Sequence, residues 1–472
     1  MCDIYGSANY GDDSPIAAFA TALQNSALTL IRCSGKGSID LVSNVFTPQR
    51  IKEAHGNTVI HGWIVSDGEK IDEVLVSVFR APKSYTGEDS LDISCHGGAA
   101  AGNVVMETLK SAGFRDALPG EFTFRAFING KLDLTKAESV MELVSAKTET
   151  GRRHAVSRLS GSLETEINEI KKLLVQVLSG AEIYLDYSED EVSADLDTDA
   201  YKLPNRDIAL QALERLKKLY ASWQLERLYQ EGVTVVIAGC PNAGKSSLFN
   251  SLLKEDRSIV TEVPGATRDW IEAWVSIEGI PVRLVDTAGL RETFDPVEKI
   301  GVERSRKLME DAYLILYLID GTQGVTERDN YFIAEYAGRL EKPFLLLWNK
   351  ADLVPPPDRQ FTDNVMVGVS AKTGEGIPAL YKAAALAIQG HAMQTDFHIR
   401  ETVCLGTERQ KNLVGSACAA LEEALTLVEK EETLDLTAPL LREAVNALGE
   451  ITGEVSTSDI LEEMFSRFCV GK

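Results

Sequence analysis

Residues 239–246 read G-C-P-N-A-G-K-S, which fits the pattern G-x-x-x-x-G-K-[ST]. An apolar run, Val233 to Ala238, precedes it, and Ser247, Leu248, Phe249, Leu252 and Leu253 follow at helical spacing. A buried strand that feeds straight into a helix through such a loop demands an α/β layer in this half of the chain. Its glycines let main-chain N–H groups converge on phosphate oxygens, and the helix N-terminus adds a positive dipole end. The spacing predicts Lys245 at β- and γ-phosphates and the Ser246 hydroxyl on Mg²⁺. Asn242, Ala243, Gly244 and Ser247 complete the loop. A chance Gly-rich turn is the bland alternative, and the flanking strand and helix count against it.

Further motifs follow in order. Asp286 to Gly289 is D-T-A-G at the end of a second apolar run, Val282 to Asp286. Asp286 is expected to hold Mg²⁺ through water, with Thr287 and Ala288 leading to Gly289, whose N–H faces the γ-phosphate. Between the two motifs, Thr261 to Asp269 (T-E-V-P-G-A-T-R-D) offers Thr267 as a second Mg²⁺ ligand. Asn349, Lys350, Ala351 and Asp352 form N-K-A-D directly after the run Phe344 to Trp348. The Asp352 carboxylate can accept from guanine N1–H and N2–H together, a donor pair adenine lacks. Ser370, Ala371 and Lys372 (S-A-K) follow the run Val365 to Val369 and offer a main-chain N–H to guanine O6. Together these motifs predict a Ras-like G domain that binds GTP, built on a parallel sheet with both faces covered.

The chemistry of hydrolysis is less explicit. The residue after D-T-A-G, where Ras-like enzymes place a water-orienting Gln, is Leu290. Glu292, Asp295 and Glu298 lie just downstream, and the first two read as solvated loop charges. Asn242 has two open readings: it shapes the loop, or its amide oxygen and carbonyls of the Thr261 segment hold a monovalent cation beside the β/γ bridge.

The 472 residues are too many for one core, so two to four domains are expected. The first ~120 residues mix alternating runs (Ser26 to Arg32, Val74 to Phe79) with Gly-rich turns and read as α+β. From about Thr135 the period is helical. Thr135 and Glu138 form a capping-box pattern, and Ala137, Val140, Met141 and Val144 share a face. An acidic stretch from Ile183 to Asp199, with seven carboxylates, reads as a solvated loop rather than a metal cage. After Gln394 two more helical stripes appear: Leu413, Ala417, Leu421, Leu425 and Val428, then Ile460, Leu461, Met464, Phe465 and Phe468. Helices before and after the G domain are expected to pack together. The resulting division is 1–124, an α+β domain; 125–230, the first part of an all-α domain; 231–390, the inserted G domain; and 391–472, the second helical part.

A formal net charge of −23 argues against broad nucleic-acid binding, which rests on many Lys and Arg contacts. Arg152 and Arg153, Lys171 and Lys172, and Lys217 and Lys218 are local basic pairs that could touch RNA, though solvated helix faces explain them as well. Seven scattered cysteines, none spaced C-x-x-C, argue against a disulfide framework or structural zinc. No apolar run is long enough to span a bilayer and no signal peptide is evident, so a cytoplasmic location without membrane contact is expected.

Motifs outside the G domain carry a specific resemblance. Ser84 to Gly98 reads S-Y-T-G-E-D-S-L-D-I-S-C-H-G-G, and Pro119 to Leu134 reads P-G-E-F-T-F-R-A-F-I-N-G-K-L-D-L. Glu450 to Leu461 reads E-I-T-G-E-V-S-T-S-D-I-L, and the chain ends F-C-V-G-K, Phe468 to Lys472. From about Ile16 to Lys472 the chain resembles the MnmE (TrmE) family of tRNA modification GTPases.

That resemblance implies a fold of three parts: a folate-binding-like N-terminal domain that dimerises, a helical domain and a TrmE-type G domain. It implies GTP hydrolysis stimulated by K⁺ on G-domain dimerisation. It also implies partnership with the flavoprotein MnmG, as a heterotetramer, in forming a carboxymethylaminomethyl-type group at C5 of the wobble uridine of certain tRNAs. The one-carbon donor would be a tetrahydrofolate in 5-formyl or methylene form. Position by position, folate contacts fall on Arg32, Asp92, Lys131 and Lys472, with Asp92 often Glu in the family. Glu298 matches the catalytic Glu that orients water through a second water. Asn242 matches the K⁺ ligand, with Thr261 and Val263. Ala266 stands where the family has Thr, which removes a side-chain K⁺ ligand. Ala22 to Ser26 (A-L-Q-N-S) stands where the family has a P-P-G-x-G turn. Cys469 has two readings, an inert lone thiol or, beside a folate site, a reactive thiol towards the one-carbon unit or the uridine, and His96 reads as turn-stabilising rather than catalytic. Two other readings compete: a GTP-switched RNA or ribosome assembly factor without modification chemistry, and a GTP-gated dimeric scaffold.

Overall fold

The computed structural model describes residues 10–186, 203–255, 271–286, 307–336, 342–357, 366–392, 403–455 and 458–471. The chain forms two compact units, one of residues 1–141, 159–209 and 416–472, the other of 142–158 and 210–415.

The first unit is built on a seven-stranded sheet of order β3-β4-β5-β6-β2-β1-β7. Its elements are β1 (Ile16–Phe19), β2 (Leu28–Ser34), α1 (Ser38–Asn44), β3 (Phe46–Thr47), β4 (Thr58–Ser66), β5 (Glu69–Phe79), β6 (Ser90–His96), α2 (Ala99–Ser111) and β7 (Arg115–Asp116). All pairings are antiparallel except β1 with β7. Strand alternation sets the faces: Val74, Val76 and Val78 of β5 and Leu91, Ile93 and Cys95 of β6 turn inward. There they meet Ile39 and Val42 of α1 and Val105, Met106 and Leu109 of α2. Each such side chain contributes roughly 1.5–3 kcal/mol by leaving water.

Next come α3 (Glu121–Ile128), α4 (Leu134–Ser145), α5 (Glu149–Leu159), α6 (Ser162–Asp186) and α7 (Arg206–Glu231). The cap of α4 differs from the capping box read in the sequence. Asp133, not Thr135, caps the helix: its Oδ1 accepts from the N–H groups of Thr135 and Lys136 at 2.8 and 3.1 Å. A carboxylate two residues upstream reaches those N–H groups, and Thr135 is already inside the helix. Ala137 and Val140 are buried as expected, but Val144 is 47% exposed.

In the second unit, β8 (Val233–Gly239) leads to α8 (Lys245–Glu255), then β9 (Ile271–Ile277), β10 (Ile280–Asp286), β11 (Leu314–Asp320), α9 (Glu327–Tyr336), β12 (Phe344–Asn349), β13 (Met366–Gly368) and α10 (Ile377–Ala392). The sheet order is β13-β12-β11-β8-β10-β9. Five strands are parallel, and β9 joins the edge antiparallel to β10. That strand departs from the wholly parallel sheet expected. Its sequence, I-E-A-W-V-S-I, alternates as a half-covered edge strand does, so no continuous apolar run marks it. On one face Val235, Ile237, Leu316 and Leu347 pack on α8 and α10; on the other Val236, Tyr317 and Trp348 pack with Ile333 of α9.

The last helices are α11 (Glu408–Glu429), α12 (Leu434–Thr452) and α13 (Ser458–Ser466). Within the first unit α6 packs along α12. Leu461 and Phe465 of α13 and Phe468 share a cluster with Leu134 and Ala137 of α4. Ile460, assigned to the same stripe by its spacing, is 41% exposed.

Candidate functional site

Among the described residues, the P-loop, Asp286, N-K-A-D and S-A-K sit at the carboxyl ends of parallel strands β8, β10, β12 and β13, where a doubly covered sheet leaves a crevice. Residues 240–244 connect β8 to α8, which begins at Lys245. Gly244 has φ +98, and a Cβ there would stand 2.2 Å from Asn349 Nδ2, so only glycine lets the two loops close up. Lys245 Nζ donates to the carbonyls of Gly239 and Cys240 at 2.9 and 3.0 Å, which holds the ammonium across the loop. Asn242 and Ser247 are exposed and Ala243 is buried.

Ser246 Oγ donates to Asp286 Oδ2 at 2.9 Å. A hydroxyl and a carboxylate so placed are a hard-oxygen donor pair, which suits Mg²⁺. Ser246 would hold that ion directly and Asp286 through water, and the ion would neutralise phosphate charge.

On the base side, Asn349 is buried and joins two loops. Its Nδ2 donates to Ala243 O at 2.6 Å, and its Oδ1 accepts from the Ala371 N–H at 3.0 Å. Asn349 thus ties the P-loop to the S-A-K loop. Lys350 Nζ pairs with Asp320 Oδ2 at 2.6 Å. Burial works against the Asp320 charge, but Lys350 and Thr322 outweigh it and hold the carboxyl below its usual range. Asp352 and Lys372 are exposed. Ser370 is fully buried and its Oγ accepts from the Thr373 N–H at 3.2 Å. Thr261, Val263, Ala266, Thr267, Thr287, Ala288, Gly289, Leu290, Glu292, Asp295 and Glu298 lie outside the described residues, as does Lys472.

One contact of the P-loop had no signal in its motif. Cys240 Sγ donates to Asp329 Oδ1 at 3.2 Å, and Tyr317 Oη donates to the same oxygen at 2.8 Å. Burial pushes the Cys240 thiol up, so it acts as a donor that clasps the loop to α9 rather than as a nucleophile.

In the first unit, Arg32 and Asp92 are cross-strand partners on β2 and β6. They form a bidentate pair, Nε to Oδ1 at 3.0 Å and Nη2 to Oδ2 at 3.2 Å. Burial opposes the Arg32 charge, and the Asp92 bonds more than restore it, so the guanidinium is raised above its ordinary value. Its carbon stands 6.0 Å from the Tyr85 ring, whose hydroxyl lies 3.0 Å from Thr123 Oγ1. Lys131 Nζ donates to the Pro82 carbonyl at 3.0 Å. The loop 82–87 therefore has Arg32 against Tyr85 and Lys131 against Pro82. Tyr85 lay inside a quoted motif but was not singled out; only the fold sets it beside Arg32. His96 Nδ1 lies 2.6 Å from Asp72 Oδ1, and Asp72 Oδ2 accepts the His96 N–H at 2.8 Å, as a turn-stabilising histidine would. Cys469 is exposed, and its carbonyl accepts from the Gly120 N–H at 3.3 Å. The C-terminal tail thus reaches the N-terminal half of this unit.

Comparison with known proteins adds an independent line. Residues 134–469 match the family model described as the MnmE helical domain, and residues 15–131 match that of the TrmE N-terminus, a GTP-binding protein. The chain is 43% identical to the tRNA modification GTPase MnmE of Treponema denticola, covering 98% of this chain and 99% of that one. The chain belongs to the MnmE family of tRNA modification GTPases. It is also 39% identical to the MnmE of Carboxydothermus hydrogenoformans over 98% of this chain and 100% of the relative. Among solved structures, the G domain of the T. maritima FeoB iron transporter is 29% identical, covers 34% of this chain and 99% of its own, and has a TM-score of 0.27. An Era variant of Aquifex aeolicus bound to GDP and aluminium fluoride is 25% identical, covers 40% of this chain and 66% of its own, with a TM-score of 0.28.

At least one member of each basic pair noted in the sequence is engaged in an ion pair. Arg152 pairs with Glu149 at 2.6 Å, Lys218 with Glu214 at 2.6 Å, and Lys171 with Glu454. The six described cysteines, Cys33, Cys95, Cys240, Cys404, Cys418 and Cys469, carry free thiols. No described helix is long and apolar enough to cross a membrane.

Proposed function

We propose that this chain hydrolyses GTP in the cytoplasm and, with the flavoprotein MnmG, forms the carboxymethylaminomethyl-type group at C5 of tRNA wobble uridine. The observation that carries this reading is the near-complete match to relatives named tRNA modification GTPase. The loop arrangement around Asn349 and the Ser246–Asp286 pair supports the nucleotide part.

Mg²⁺ binds Ser246 and Thr267 and GTP lies along Asn242 to Ser247, with Asp352 selecting guanine. K⁺ binds at Asn242, Thr261 and Val263, with Ala266 contributing no side chain. Glu298 orients the attacking water. A tetrahydrofolate one-carbon donor binds at Arg32, Asp92, Lys131 and Lys472, where the paired guanidinium beside Tyr85 suits a carboxylate and a flat ring. Cys469 is the candidate thiol for the one-carbon transfer. The working division of the chain is 1–124, 125–230, 231–390 and 391–472, and the working assembly is a homodimer that joins MnmG in a heterotetramer.

The deciding experiment is mass spectrometry of bulk tRNA nucleosides from cells lacking the protein. Loss of the C5 group on wobble uridine is the expected result. An unchanged profile rejects the modification role and leaves the assembly-factor reading.

A further inference from the structure

We propose that the β9–β10 hairpin carries the state of the nucleotide site to segment 147–151, which leads into α5, with Lys147 and Trp274 as positioning residues at the contact. The two strands pair in unbroken register from Asp286 opposite Ile271 to Ile280 opposite Ile277. At one end of β10, Asp286 accepts the Ser246 hydroxyl at 2.9 Å. At the other end the turn lies against Thr150: Gly279 has φ +85, and a Cβ there would stand 2.3 Å from Thr150 Oγ1. Beside that turn, Lys147 Nζ sits 3.7 Å from the centre of the Trp274 ring and donates to the Glu231 carbonyl at 3.2 Å.

Three physical features make this ribbon a transmitter rather than a passive edge. A paired ribbon of seven residues per strand spans about 20 Å and is stiff along its length. Arg283 and Glu272 pair across it at 3.0 Å, so its strands move together. Finally, β9 is the edge strand and pairs with β10 alone, so the ribbon is held to the rest of the sheet only through the β10–β8 ladder. In sequence, β9 follows the segment carrying Thr267 and β10 runs into D-T-A-G, so both ends of the hairpin connect to motif loops. A shift at Asp286 is therefore felt at Lys147 and Thr150, and by reciprocity a pull on segment 147–151 changes nucleotide preference.

The test is amide hydrogen exchange on the full chain, loaded with GDP or with a non-hydrolysable GTP analogue. Amides of 147–151 should differ in protection between the two states. Trp274→Leu and Lys147→Met should each erase that difference and change the ratio of GTP-analogue to GDP affinity by about fivefold or more. Lys147→Arg, which keeps a cation over the ring, should retain both. A packing role alone would lower protection equally in both states. Should Trp274→Leu fail to fold, the Lys147 pair of variants decides. The proposal falls if the wild-type segment shows no nucleotide dependence, or if that dependence survives Lys147→Met. GTP binding itself is titrated separately, so a failure of this coupling is distinct from a failure of nucleotide binding.

Discussion

The side-chain amide of Asn349 donates to the Ala243 carbonyl at 2.6 Å and so fastens the N-K-A-D turn to the P-loop. The same side chain accepts from Ala371 at 3.0 Å. Replacing Asn349 with Ala leaves a donor and an acceptor without partners in a site from which water is largely excluded, a loss of about 1–3 kcal/mol each. GTP affinity should fall by about tenfold or more as the loops separate. Fluorescent-nucleotide titration measures this, and wild-type affinity in the variant would show that the tie does not organise the site.

Asp352 is expected to read guanine through N1–H and N2–H. Asn in its place offers an amide N–H where guanine also presents donors, whereas xanthine presents a carbonyl at C2. Asp352→Asn should weaken GTP by about 10- to 100-fold and favour xanthosine triphosphate. A competition titration of the two nucleotides decides it, and unchanged preference would remove Asp352 from base recognition.

Arg32 and Asp92 make separable predictions. Arg32→Ala removes the guanidinium and leaves the carboxylate without its partner; 5-formyltetrahydrofolate affinity should drop by about 10- to 100-fold by calorimetry. Asp92→Asn keeps the cation and should cost less. Equal losses would point to local collapse of the strand pair instead of direct contact.

Legibility in the sequence followed the range of each interaction. The P-loop was readable because strand, loop and helix are contiguous in sequence around it, and N-K-A-D because it directly follows the apolar run of β12. Strand β9 escaped because an edge strand alternates, and Asp133 as a cap escaped because Thr135 and Glu138 offered a competing pattern. The Cys240–Asp329 clasp joins residues 89 apart, and Arg32 meets Tyr85 only through the loop beside β6, so neither had a local signal. Lys147 carried no signal of its own in the sequence; only the fold sets it over the Trp274 ring.

Glu226 provides the last prediction, on pH. It is 1% exposed, with His154 Nδ1 at 2.6 Å from one oxygen and Arg158 Nη2 at 2.7 Å from the other. Arg158 also holds Glu142 at 2.5 Å. Burial pushes the Glu226 carboxyl up, but the His154 and Arg158 bonds outweigh it and hold the group below its usual range. A carboxyl depressed in the folded state lends stability above its unfolded pKa of about 4.3, and that stability is lost as pH falls through the lower, folded value. Glu226→Gln removes one acid from a buried network and should destabilise the protein by about 3–5 kcal/mol near neutral pH. Its melting temperature should also fall less steeply than wild type as pH is lowered from about 5 to 3, because the variant has no carboxylate there to protonate. Thermal melts of both full chains across that range measure the slope, and parallel curves would place the acid sensitivity at another group.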